Sequence, residues 1–252
     1  MLKKRIIPVL LLKNGRMVKG RQFKDFRDVG DPISAARIYN AQNADELIFL
    51  DIDASHQHRG ALLRIIEEVA RECFMPFTVG GGIRSVDEIR ALLRAGADKV
   101  VINTAAVENP RFVSEAAEIF GRQCIVIGID TRRDGDQIRV YTHSGRTAAS
   151  VDLHQHVSDM IRLGAGEIFI NSIDQDGMMQ GYDMALLKLI REVAHVPVIA
   201  CGGAGNFQHL ANAILQAGMD AVGCASIFHF GDNNPIRARS FLKNKGIPVK
   251  TV

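Results

Sequence analysis

Pro197-Val198-Ile199-Ala200-Cys201-Gly202-Gly203-Ala204-Gly205 decides the fold, because the chain spells the same phrase 121 positions earlier as Pro76-Phe77-Thr78-Val79-Gly80-Gly81-Gly82-Ile83. In each copy a short apolar run stops at adjacent glycines and a helical pattern follows. That pattern reads as a buried strand handing its C-terminal end to a turn whose backbone N–H groups can approach an anion closely. A segment met twice points to a duplicated architecture.

Working outward, the duplication extends on both sides. Glu46-Leu47-Ile48-Phe49-Leu50-Asp51-Ile52-Asp53 corresponds to Glu167-Ile168-Phe169-Ile170-Asn171-Ser172-Ile173-Asp174, and Ala95-Gly96-Ala97-Asp98 to Ala217-Gly218-Met219-Asp220. Apolar runs of strand length recur at Ile6–Leu12, Leu47–Leu50, Phe77–Val79, Val100–Ile102, Ile125–Ile129, Ile168–Ile170, Val198–Cys201 and Ala221–Cys224. Helical periodicity lies between them, with start signals at Asp31-Pro32, Ser85-Val86-Asp87-Glu88, Asn109-Pro110 and Asn234-Pro235. Eight alternating units whose strands are apolar on both faces predict a single (β/α)₈ barrel over residues 1–252, built of half-barrels at about 1–121 and 122–252. No linker or low-complexity stretch divides it.

Composition excludes several function classes. The 252 residues are 47% hydrophobic and 23% charged with a net charge of +3, too small to argue for nucleic acid. Cys73, Cys124, Cys201 and Cys224 show neither zinc nor disulfide spacing, so no metal site is expected and the thiols read as reduced core residues. The apolar run after Met1-Leu2-Lys3-Lys4-Arg5 is too short to span a membrane and lacks a small-residue cleavage site, which leads to an expected cytoplasmic location. No cofactor motif is present.

The repeat duplicates a candidate anion seat. Gly81-Gly82 is coupled to Asn103-Thr104 after the next strand, and Gly202-Gly203 to Ala225-Ser226. A lone glycine pair is more often a tight turn; two copies, each beside a hydroxyl-bearing turn at the end where barrels bind phosphate, predict a ligand with two phosphorylated ends. At the opposite end, Arg5, Glu46, Lys99 and Glu167 stand just before or at the start of strand runs. Alternation along a strand then sends Val9, Leu11, Val101, Asn103, Phe169 and Asn171 inward with them. Four charges of alternating sign would form a compensated floor, since an unpaired charge there is costly. The same parity leaves Asp51 and Asp53 facing the helices or belonging to the following loop. The loop of roughly Asn14–Gly30, which carries Lys19, is long enough to suggest a function and is expected to close over bound ligand.

Lys19-Gly20, Phe77–Ile83, Asn103-Thr104-Ala105-Ala106-Val107-Glu108-Asn109-Pro110, Ser172-Ile173-Asp174-Gln175-Asp176-Gly177 and Phe228-His229-Phe230 resemble the cyclase subunit of imidazole glycerol phosphate synthase, nearly end to end. The resemblance implies a barrel docked at its bottom, through Asp98 among others, on a separate glutaminase of the HisH type. In that family the matching charged ring gates ammonia released by the partner, whereas without the resemblance the same ring reads as a stabilising plug. The ammonia passes to a two-phosphate substrate held by Lys19, Asp176, Gly177 and the two turns, and ring closure gives imidazole glycerol phosphate and an aminoimidazole ribotide.

In that family two aspartates at the mouth perform acid–base work, ending strands one and five. Asp130 is the strand-five member; its internal counterpart, 119 positions earlier, is Leu11, which can neither donate nor accept a proton. Other departures, at Leu10–Lys13, Asp51–Ser55, Glu72–Pro76 and Asn171–Asp174, are similar to a paralogous group in surface-polysaccharide pathways. There a barrel, a glutaminase and a separate sugar amidotransferase convert an acetamido group of a nucleotide sugar to an acetamidino group. On these residues the polysaccharide reading leads, the histidine-pathway cyclase (a lyase) follows, and a scaffold that only activates the glutaminase is third.

Overall fold

The computed structural model describes residues 2–53 and 59–251, so Ala54 and Ser55 of the quoted motifs lie outside the described residues. Eight parallel strands close on themselves: Arg5–Lys13, Leu47–Asp51, Phe77–Gly80, Lys99–Ile102, Ile125–Asp134, Glu167–Ser172, Val198–Cys201 and Ala221–Cys224. Each pairs with its sequence neighbour in the barrel, and the first pairs with the last through Arg5↔Ala221 to Pro8↔Cys224. Helices connect the strands, giving the (β/α)₈ barrel that the alternation predicts.

Parity along the strands sorts the core into two shells. Ile7, Val9, Ile48, Val101, Val126, Phe169, Ile199, Cys201 and Ala221 fill the barrel interior. The alternate residues, such as Ile6, Leu10, Phe49, Ile102 and Ile127, pack outward against the helices. Both faces of the sheet are therefore apolar, as a parallel sheet inside a helical ring requires.

Local chemistry fixes most helix starts. Asp31 accepts from Ser34 N at 2.8 Å with Pro32 in the first turn, and Asn234 accepts from Arg237 N at 2.9 Å ahead of Pro235. Ser85 accepts from Glu88 N at 3.3 Å, while the Glu88 carboxylate reaches back to Arg84 N at 2.7 Å. Asn109 departs from the expectation. It ends the short helix Thr104–Glu108, and the next helix, Arg111–Phe120, starts at Pro110 without a side-chain cap.

Strands one and five run on past the rim into hairpins. The first pairs with Arg16–Arg21, which pairs with Lys24–Gly30; the segment Asn14–Gly30, expected as a loop, is mostly an antiparallel hairpin. The fifth pairs with Gln137–Thr142, which continues to Thr147–Ala148. The two extensions are in equivalent register: Leu11 lies opposite Val18 and Leu50, and Asp130 opposite Tyr141 and Asn171. Among the described residues, no helix is long and apolar enough to cross a membrane, and no group of three metal-binding side chains forms.

Candidate active site at the barrel mouth

The C-terminal ends of the strands and the two hairpins enclose a cavity of about 480 Å³. Val9, Leu11, Leu50, Val101 and Phe169 form its base, and Lys19, Gly81, Gly82, Asn103, Thr104, Asp130, Asn171, Asp176 and Ala225 stand around it. Leu11 and Asp130 thus face one space from matching positions of the two halves.

Asp130 sits between two amides. Asn103 Nδ2 donates to one carboxylate oxygen at 2.8 Å and Asn171 Nδ2 to the other at 3.1 Å. Burial dominates all the same, and with the nearby negative charge of Asp176 it raises the carboxyl to about 7 against the lowering effect of the two amides. A carboxyl that titrates near neutrality can both give and take a proton there. Asn171, which inward parity identified but which carried no assigned role, is one of the groups that set this balance.

Lys19 reaches in from the first hairpin. It is only 3% exposed, and its Nζ meets Asp176 Oδ1 at 2.7 Å. The hairpin is docked on the loop after strand six, with Gln22 N donating to Asp176 O at 2.8 Å and Gln22 Nε2 to Asp174 O at 3.0 Å. Gly177 lies beneath this contact: a Cβ there would stand 2.3 Å from Gly20 O.

The two glycine turns both hold consecutive glycines in the left-handed region, with φ +113° and +60° at Gly81 and Gly82 and +83° and +113° at Gly202 and Gly203, but their environments differ. The first turn lines the cavity. The second is buried, and the loop after strand six roofs it through Gly181 N donating to Gly203 O at 2.8 Å. Of the residues expected around the second seat, Ala225 and Asp176 line the cavity, whereas Gly177, Gly202, Gly203 and Ser226 lie behind them. The docked hairpin and the roof loop are the physical cause.

Asp51 and Asp53 do not face the helices: both line the cavity, and Asp53 belongs to the loop after the strand, the other position expected for it. The strand ends at Asp51, whose Oδ1 accepts from Asp53 N at 3.1 Å, and alternation ceases where that turn begins. The second hairpin was also missed. His143, Ser144 and Arg146 from its tip line the cavity, and His143 N donates to Thr104 Oγ1 at 3.0 Å. Asp134-Gly135 and Ser144-Gly145, flanking the alternating run Gln137–Thr142, were the available signals.

At the opposite end the four floor charges form a closed ring. Arg5 bonds Glu46 at 2.7 Å and Glu167 through its other nitrogen; Lys99 meets Glu46 at 3.0 Å and Glu167 at 2.9 Å. Thr78 Oγ1 adds a donor to Glu46 at 2.7 Å. Burial acts to lower the Arg5 pKa, but Glu167 and Glu46 overcome it and hold it above its ordinary value. Asp98, beside the ring, is exposed on this face and accepts from Phe77 N at 2.9 Å. The Phe228-His229-Phe230 motif lies at the flank, where Tyr39 Oη stands 3.2 Å from His229 Nδ1.

With this geometry in hand, two comparisons bear on the chain. The model of the family described as "Histidine biosynthesis protein" matches residues 5–234. A protein of Hyphomonas neptunium named Imidazole glycerol phosphate synthase subunit HisF is 52% identical over 252 residues, all of this chain and all of that one. The chain belongs to the HisF family. HisF-family membership fits the closed barrel, and it makes the histidine-pathway reading, placed second on sequence, the better supported one. Nothing in the comparisons separates out a polysaccharide branch.

Proposed function

We propose that this chain is the synthase subunit of an imidazole glycerol phosphate synthase, joining ammonia from a glutaminase partner to a two-phosphate substrate at the barrel mouth. The full-length 52% identity to a protein named as that subunit carries the reading. The site supports it with Asp130, raised to about 7 in a cavity lined by the first glycine turn and, from the second half, by Cys201 and Ala225.

In this reading Gly81, Gly82, Asn103 and Thr104 seat one phosphate. Gly177, Gly202, Gly203, Ala225 and Ser226 seat the other through backbone N–H groups, once the docked first hairpin lifts. Lys19 and Asp176 hold the middle of the substrate, and Asp130 moves protons. Arg5, Glu46, Lys99 and Glu167 gate ammonia at the floor, and Asp98 belongs to the surface that meets a HisH-type glutaminase. Above the ring the interior is apolar, which suits neutral ammonia over ammonium, because an ion would leave its hydration behind.

One observation keeps a second reading in view. Leu11 occupies the register position equivalent to Asp130, so the family's first mouth carboxylate is missing. This favours a polysaccharide role, in which the barrel delivers ammonia toward a nucleotide-sugar amidotransferase. Direct assay with ammonium salt and the family's two-phosphate substrate decides between them. Turnover near 1 s⁻¹, within the usual enzyme range, is expected. Absence of imidazole glycerol phosphate under those conditions would overturn the first reading in favour of the second.

A further inference from the structure

Leucine at position 11 leaves Asp130 without the partner that its register equivalent would supply, yet the mouth holds more than one carboxylate. Asp174 does not lie in the cavity lining, and its Oδ2 is tied to Arg133 N at 2.7 Å. Asp51 lines the cavity, but it ends its strand and its Oδ1 holds the turn through Asp53 N at 3.1 Å. Asp176 is different in three respects. It lines the cavity while only 7% exposed; its charge acts directly on Asp130; and its Oδ2 has no hydrogen-bond partner among the described residues, although Oδ1 is held by Lys19. A buried carboxylate oxygen without a donor is uncommon and calls for a reason.

We propose that Asp176 is the second proton-transfer group of this mouth, acting together with Asp130, with Lys19 as its counter-ion. The inference rests on the ammonia-joining reading above. Two carboxylates in contrasting environments divide acid from base work: one is ion-paired with Lys19, the other is desolvated and raised to about 7. In the first step the ammonia nitrogen forms a bond to a carbonyl carbon of the substrate. The C=O π pair moves to the oxygen, which takes the proton of Asp130. The new ammonium nitrogen gives a proton to Asp176 Oδ2. The product is a neutral carbinolamine, and one proton passing from Asp176 to Asp130 restores the starting state.

The test uses the full chain with ammonium salt and the family's two-phosphate substrate, over a range of pH. Asp176→Asn lowers kcat by about 100-fold, the scale of one acid–base group, while substrate KM, which also senses the lost contact to the substrate, rises by a much smaller factor. One limb of the kcat–pH profile disappears with it. Asp176→Glu recovers part of the rate. Adding Leu11→Asp to Asp176→Asn recovers about tenfold or more, because it places a carboxylate at the position equivalent to Asp130; a merely structural role for Asp176 would not be rescued from there. If Asp176→Asn does not fold, Lys19→Met leaves the carboxylate and removes its counter-ion, and the same limb shifts to higher pH. An unmoved limb, a loss confined to KM, or no rescue by Leu11→Asp overturns the proposal. A wild type without ammonium-dependent turnover overturns the parent reading and this one together; a working wild type with an unchanged Asp176→Asn overturns this one alone.

Discussion

Asp130→Asn should stabilise the protein at high pH while disabling it. An ordinary aspartate titrates near 4, whereas burial holds Asp130 at about 7. Below about pH 4 the side chain is protonated in both the folded and the unfolded chain and contributes no pH-dependent term. Between about 4 and 7 the folded chain binds the extra proton, so stability falls as pH rises through this window. Above it, the cost of an ionised carboxylate in this half-buried site is present, at most on the order of 4 kcal/mol for a pKa difference of about three and less where the cavity admits water. Asparagine removes that cost and fits the site. Its oxygen can accept from one neighbouring amide, and its NH₂ can donate to Asn103 Oδ1 or Asn171 Oδ1, both unpaired, after a flip of that amide. Urea unfolding of the two proteins at about pH 4 and pH 8 gives a difference in which the other titrating groups cancel. The variants should agree within about 1 kcal/mol at the lower pH. Asparagine should be the more stable at the higher pH by a few kcal/mol, or roughly 10 °C in Tm for a chain of this size. Equal stabilities at pH 8 would refute the reasoning, since they would mean that Asp130 ionises in the folded state as readily as in water.

The remaining predictions concern the floor and the second turn. Lys99→Met leaves Glu46 and Glu167 sharing Arg5 alone; it should release glutamate from the glutaminase in excess of product while the ammonium-driven rate holds, and equal yields would make the ring purely structural. Gly203→Ala places a Cβ 2.0 Å from Gly181 O at a φ of +113°. It should cost roughly 1–3 kcal/mol in urea unfolding and raise substrate KM, and a variant unchanged in both would show that the roof loop moves freely.

The barrel was legible because two periodicities agree. Strands such as Ile125–Ile129 are apolar on both faces, and the 121-residue repeat fixes how many units there are. Inward parity, anchored on floor charges, placed Val9, Val101 and Phe169 correctly in the interior. It failed at Asp51, where the strand ends and the chain turns, because alternation is a property of extended backbone alone. The hairpin at Gln137–Ala148 escaped because a template of eight strand–helix units has no place for it, although its turn residues announced it. The unequal exposure of the two glycine turns could not be read from either turn. It arises where Gly181 and the first hairpin settle, contacts between segments far apart in sequence.

That inequality explains how a duplicated scaffold can carry out a chemistry that is not symmetric. Each half supplies the same strand, turn and hairpin, but the equivalent positions 11 and 130 carry leucine and aspartate. The halves also differ in what they lend each other: Lys19 belongs to the first half and Asp176 to the second, and their contact at 2.7 Å joins the halves over the cavity. A buried pair of this kind gains little stability over apolar packing, so its worth lies in what it positions. It fixes a carboxylate beside Asp130 and ties the first hairpin to the loop after strand six. The contact thereby couples the first hairpin to the carboxylate that lines the cavity with Asp130, so any movement of that hairpin away from the loop after strand six would separate Lys19 from Asp176.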